Sequence, residues 1–128
     1  MRALISLIIG LSQAGLGLWL IVAPGSFYAN LPGVSETGPF NAHFVRDVGC
    51  AFLVAGGGLV WLFADRRAWP AALAGAAFLG LHALMHVLDG LAGRESPQHL
   101  AHDLPLLIGL ALVALWAAWP QRGVTAKI

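Results

Sequence analysis

The chain has 128 residues, of which 59% are hydrophobic and only 10% are charged, and its formal net charge is +1. Soluble domains carry about 25% charged residues, so this composition excludes an ordinary water-soluble domain and indicates a chain surrounded by lipid bilayer. The small net charge and the absence of a basic cluster in the sequence also argue against nucleic acid as a partner.

Four apolar segments follow one another along the chain, each of the roughly 20 residues that cross the apolar core of a bilayer. They cover residues 3–23, 44–64, 70–90 and 103–119. A loop rich in turn-forming residues, from Pro24 to about Asn41, separates the first two, and the later connections are short. The sequence therefore predicts one domain, residues 1–128, with an all-α fold: an antiparallel four-helix bundle integral to the membrane.

The ends of two segments need interpretation. Arg2 before an apolar run is also typical of a signal peptide, but the run has the length of a span, so we expect it to remain as a helix. The last segment has two suitable starts, at Ser96-Pro97 and at Asp103. We expect a helix or interfacial turn from Pro97 that is kinked or restarted near Asp103.

Small residues provide the expected contacts between helices, because close packing rather than apolar burial drives helix association in lipid. They recur within the first three segments: Gly10, Gly15 and Gly17; Gly49, Ala51, Ala55 and Gly56–Gly58; Ala72, Ala76 and Gly80. The same faces would suit a homo-oligomer or a larger membrane complex.

The basic residues predict the orientation. One set lies at one membrane face (Arg2, Arg66, Arg67, Arg122 and Lys127), and only Arg46 and Arg94 lie at the other. Positive residues favour the cytoplasmic side, so we expect both termini in the cytoplasm. We therefore expect a multi-pass membrane protein with the 24–43 loop and the 90–102 connection outside, which is the periplasm if the membrane is a bacterial inner membrane.

All five histidines and five of the six acidic residues lie toward the outer face in this topology. Their spacing places groups of them on single helix faces. Since imidazole and carboxylate together suit copper, iron or zinc, we predict a transition-metal site where three helix ends meet. The candidate ligands are His82, His86 and Asp89 on the third segment, His43 and Asp47 on the second, and His99, His102 and Asp103 at the start of the fourth.

Three functions remain open for this cluster. The first is a membrane metalloprotein, such as an oxidoreductase acting on an apolar small molecule or lipid, because a bound metal can activate dioxygen or water. The second is a metal-free acid–base enzyme that modifies lipids. The third is a non-enzymatic accessory subunit or metal carrier, whose small-residue helix faces would bind a larger membrane complex.

One stretch carries a family resemblance. The motifs Pro24–Tyr28, Pro32–Val34 and Thr37–Gly49 resemble a pattern in uncharacterised small inner-membrane proteins of bacteria. The layout is similar to that of the DoxX-like four-helix group. The resemblance implies a bacterial membrane protein with four helices. It implies no catalytic residue, and it does not extend to the histidines of the third and fourth segments.

Overall fold

The computed structural model describes residues 1–36, 38–94 and 97–120, with the side chains of residues 36, 97–100 and 102–104 outside the description. Every regular element in these ranges is helical, so the predicted all-α fold is confirmed. Two short 3-10 helices occur at Val34–Glu36 and Arg66–Ala68. The α-helices are α1 (Arg2–Val22), α2 (Pro24–Asn30), α3 (Ala42–Ala64), α4 (Trp69–Leu91) and α5 (Pro97–Ala118).

Among the described residues, three helical segments are long and apolar enough to cross a membrane: Arg2–Val22, Ala42–Ala64 and Arg66–Leu91. Their length and composition are consistent with a membrane protein. A shorter apolar stretch, Pro105–Ala118, forms most of α5. That helix begins at Pro97 and continues through Pro105, although proline removes one backbone hydrogen bond from a helix interior.

The segment after α1 differs from the predicted loop, because it begins with the seven-residue helix α2. Pro24 occupies the first turn of α2, where its missing N–H has no helical partner to lose. The rings of Trp19 and Phe27 pack edge to face with centroids 5.5 Å apart, which holds α2 against the end of α1. The loop was predicted from the turn-forming residues alone. That prediction overlooked that proline also favours the first turn of a new helix.

Helices α1 and α3 touch backbone to backbone at two places. A Cβ atom added to Gly10 would lie 2.8 Å from the carbonyl oxygen of Gly56, and one added to Gly17 would lie 2.6 Å from that of Gly49. Atoms in Cβ contacts essentially never approach within 3.0 Å, so only glycine permits this separation. The order of the pairs also shows that the two helices are antiparallel.

A similar contact holds α4 against α3. A Cβ atom added to Gly75 would lie 2.5 Å from the carbonyl oxygen of Ala55, and one added to Gly58 would lie 2.6 Å from that of Ala71. Helix α5 packs along α4 and also contacts α1. A completely buried side chain, Ser6 of α1, donates a 2.7 Å hydrogen bond to the backbone oxygen of Leu59 in α3.

Two adjacent glycines of α3 test whether this close approach limits stability. A Cβ atom on Gly56 would lie 2.5 Å from the backbone nitrogen of Ala14, whereas one on Gly57 would meet nothing within 4 Å. We expect Gly56→Ala to destabilise the protein by about 1–3 kcal/mol through overpacking. Gly57→Ala should be neutral or stabilising by up to about 1 kcal/mol, because alanine is the better helix former.

Thermal unfolding in detergent, followed by circular dichroism, measures both variants. Equal melting temperatures for Gly56→Ala and Gly57→Ala would contradict the contact between α1 and α3.

Candidate functional site

His82 and His86 lie on successive turns of α4 and face the same way, as their spacing predicts. Their rings meet edge to face with centroids 4.9 Å apart. Both side chains are half-buried. Two imidazoles are thus adjacent within a helix that is otherwise largely apolar.

Two phenylalanines surround the ring of His82. The centroid of Phe52, on α3, lies 5.2 Å away in an edge-to-face arrangement, and that of Phe78, one turn earlier on α4, lies 6.1 Å away with the rings stacked. Phe52 is only 6% exposed. The imidazole of His82 is therefore an integral part of the aromatic packing between α3 and α4.

Asp89, predicted to be a third ligand on α4, forms an ion pair. Its Oδ1 accepts a 2.7 Å hydrogen bond from the guanidinium of Arg94, and its backbone oxygen accepts one of 2.9 Å from the Arg94 backbone N–H. Gly93 between them has φ 69°, a conformation that glycine adopts without strain at the end of a helix. The carboxylate of Asp89 is thus paired with Arg94 just beyond the end of α4.

His43 and Asp47 form a separate pair near the start of α3. His43 Nε2 lies 3.6 Å from Asp47 Oδ2, and the two side chains are 88% and 63% exposed. Since Gly75 meets Ala55 in antiparallel helices, the start of α3 lies at the level of the α4 histidines. The exposed pair is on another face of α3 from Phe52, which packs against α4.

The remaining candidates, His99, His102 and Asp103, belong to the first turns of α5, and their side chains lie outside the described part of the chain. Among the side chains that are described, no three from histidine, cysteine, aspartate and glutamate come close enough to hold a metal ion. Cys50 is a free, exposed cysteine of α3. Within the described residues, then, the predicted ligands form pairs: His82 with His86, and His43 with Asp47.

Sequence reasoning missed the residues that surround these pairs. Phe78 precedes His82 by one helical turn, so helix periodicity alone could have placed the two on one face. The role of Phe52 depends on how α3 is rotated against α4, for which the sequence contains no direct signal. Arg94 was assigned only to a membrane face, although it follows Asp89 at the end of α4.

Comparison with known proteins suggests no family or function for this arrangement of residues. No protein-family model matches the chain, and neither the curated proteins nor the solved structures show a significant match to it.

The aromatic packing around His82 can be tested with two phenylalanines of the same helix. Phe52 is 6% exposed and Phe44 is 64% exposed. We expect Phe52→Ala to cost about 3–5 kcal/mol, because it opens a cavity beside the imidazole. Phe44→Ala should change stability by no more than about 0.5 kcal/mol.

Thermal unfolding of the two variants in the same detergent gives the comparison. A loss for Phe44→Ala as large as that for Phe52→Ala would contradict the placement of Phe52 between α3 and α4.

Proposed function

We propose that this chain is a metalloprotein of the bacterial inner membrane that binds a transition-metal ion through His82 and His86. Four spanning helices, α1, α3, α4 and α5, would form an antiparallel bundle with both termini in the cytoplasm and with the site near the outer face. The supporting observation is the pair of half-buried imidazoles whose ring centroids are 4.9 Å apart on one face of α4.

Histidines separated by four residues on a helix are a recurring ligand pair for zinc. Imidazole equally suits copper and iron, and all three metals remain in the proposal. In such a site one nitrogen of each ring would bind the metal, and a hydrogen bond to the second nitrogen would fix the tautomer.

Two ligands do not complete such a site, since zinc sites use three or four protein ligands. The start of α5 is the nearest source along the chain, because residues 92–96 join it directly to the end of α4. His99, His102 and Asp103 are therefore the proposed completing ligands. Asp89 would require release from Arg94, and the His43–Asp47 pair would require a different orientation of its exposed side chains.

The surroundings of His82 favour an apolar substrate if the protein is an enzyme. Phe52 and Phe78 form an aromatic wall beside the imidazole, and a molecule reaching it from the bilayer would be a lipid, a quinone or a hydrocarbon. An enzyme that acts on such a substrate with a redox-active metal would be an oxidoreductase. The layout would then be similar to that of the DoxX-like group without sharing a known site with it.

A metal-free acid–base enzyme that modifies lipids is the second candidate function. The observation that favours it is the exposed pair of His43 and Asp47, 3.6 Å apart. A carboxylate beside an imidazole can orient the ring for proton transfer. Lipid-modifying activity that survives removal of all metal by chelation, and that is lost in Asp47→Asn, would favour this candidate over the metalloprotein.

Elemental analysis by inductively coupled plasma mass spectrometry tests the metal site. Protein purified in detergent, without a histidine tag and without chelator, should contain copper, iron or zinc in stoichiometric amount. His86→Ala should lose most of it, because removing one ligand of a pair leaves a single imidazole. His43→Ala is the matched control and should keep its metal.

Two results would contradict the site. One is His86→Ala protein with the metal content of the native chain. The other is native protein that contains no metal and binds none of the three ions when they are added.

Cysteine labelling tests the orientation. Cys50 is the single cysteine, so Cys50→Ser gives a background in which Ser26→Cys and Arg67→Cys each supply one exposed thiol. In cells whose outer membrane has been permeabilised, a membrane-impermeant maleimide should label Ser26→Cys. It should label Arg67→Cys only after the inner membrane is broken, and the reverse pattern would place both termini outside.

A further inference from the structure

Helix α3 packs against α1 on one side and against α4 on another, and a third face of it is exposed. The exposed residues of this face recur at alternating intervals of four and three positions, and together we call them the α3 seam: His43, Asp47, Cys50, Val54, Gly57, Trp61 and Ala64. Two parallel helices contact each other along their length at this spacing. The pattern therefore indicates a face that can pack against a further helix.

The α3 seam differs in composition from the exposed faces of α1 and α4. Those faces include many large apolar side chains, which suit contact with lipid tails: Leu4, Ile8, Leu11 and Leu18 on α1, and Leu81, Leu84 and Leu88 on α4. The α3 seam has only two large apolar side chains, Val54 and Trp61. Its small residues Cys50 and Gly57 would allow a second helix to approach closely.

The side chains at one end of the α3 seam have unused hydrogen-bonding groups. His43 Nε2 lies 3.6 Å from Asp47 Oδ2, which is too far for a hydrogen bond. Neither side chain makes a hydrogen bond among the described residues. Arg46 borders the seam and donates from Nε to the backbone oxygen of Ile21, but its other guanidinium nitrogens have no partner in the described ranges.

The position of Asp47 makes a partner favourable. Asp47 is five residues past Ala42, the first residue of α3, and so about 7 Å along the helix axis. Ala42–Ala64 is one of the segments that are long and apolar enough to cross a membrane. A carboxylate that is 63% exposed at this depth borders the apolar core, where ionisable groups are costly unless they are paired.

A second copy of the chain would supply the missing partners. Two copies with the same orientation in a membrane are related by a two-fold axis along the membrane normal, so their α3 helices are parallel and the same face meets itself. At this spacing each side chain inserts into a hole formed by four residues of the facing helix. The hole opposite Asp47 is formed by residues 43, 46, 47 and 50 of the second copy, which include its imidazole and its guanidinium.

We propose that two copies of this chain associate through their α3 seams as a parallel, two-fold symmetric dimer. The carboxylate of Asp47 in each copy accepts hydrogen bonds from His43 and Arg46 of the other copy, and symmetry makes this contact twice. The α3 seam is on a different face from Phe52, which packs against His82. The dimer is therefore independent of the proposed metal site and is tested separately from it.

Disulfide crosslinking in native membranes tests the arrangement. Cys50 is the single cysteine and lies in the α3 seam, so oxidation with iodine should join two native chains into a dimer that a reductant separates. The matched control is Leu18→Cys in a Cys50→Ser background. Leu18 is 54% exposed on α1, and it lies at the level of Cys50 because Gly17 contacts Gly49. It should form little dimer.

Sedimentation equilibrium of the full chain in density-matched detergent measures the association. Asp47→Ala should raise the dissociation constant of the dimer by about tenfold, since it removes two symmetry-related polar contacts. Ser12→Ala is the control, because Ser12 is also an exposed polar residue but belongs to α1. It should change the constant by no more than about twofold. Circular dichroism melting curves establish that both variants are folded.

Three results would overturn the proposal. The first is equal crosslinking through Cys50 and through Leu18→Cys. The second is a dissociation constant that rises no more in Asp47→Ala than in Ser12→Ala. The third is a native chain that stays monomeric in detergent and is not crosslinked in membranes.

Discussion

Helices α1 and α3 approach so closely at the pairs Gly10–Gly56 and Gly17–Gly49 that a single methyl group at any of these positions would meet backbone atoms. In lipid this approach stabilises the pair by van der Waals contact. It also determines the rotation of α3, and therefore which of its side chains can meet α4. The contact of Gly75 with Ala55 then sets α4 against α3, and the aromatic packing around His82 depends on both contacts.

The two ends of the molecule carry different ionisable side chains. At one end, His82 and His86 lie on α4 with the rings of Phe52 and Phe78 against His82, and the exposed pair of His43 and Asp47 lies on α3. At the other end, Arg2 and Arg66 line a cleft together with Trp69 and Trp119. Because ionisable groups are costly within the bilayer, their restriction to the two ends leaves the middle of the helices for close packing.

Much of the helical fold could be predicted from the sequence, because the length of an apolar run indicates the length of a helix in lipid. Helix α1 occupies Arg2–Val22 where residues 3–23 were predicted, but α2 was missed because its proline and glycine were taken to indicate a loop. The pairing of His82 with His86 follows from helix periodicity alone. Helix periodicity does not predict that His43 and Asp47 point outward, because their direction depends on how α3 is rotated against its neighbours. Similarly, the sequence shows that Gly56 and Gly57 are both glycines. Only the packing shows that Gly56 lies against the backbone of α1 and that Gly57 does not.

The central claim is that the two α4 histidines bind one metal ion, and X-ray absorption spectroscopy at the edge of the bound metal tests it most directly. The account predicts a coordination shell with at least two imidazole ligands, seen as multiple scattering from the ring atoms, and its loss when both His82 and His86 are replaced by alanine. A shell of oxygen or sulfur ligands without imidazole, or a spectrum unchanged by the double substitution, would contradict it.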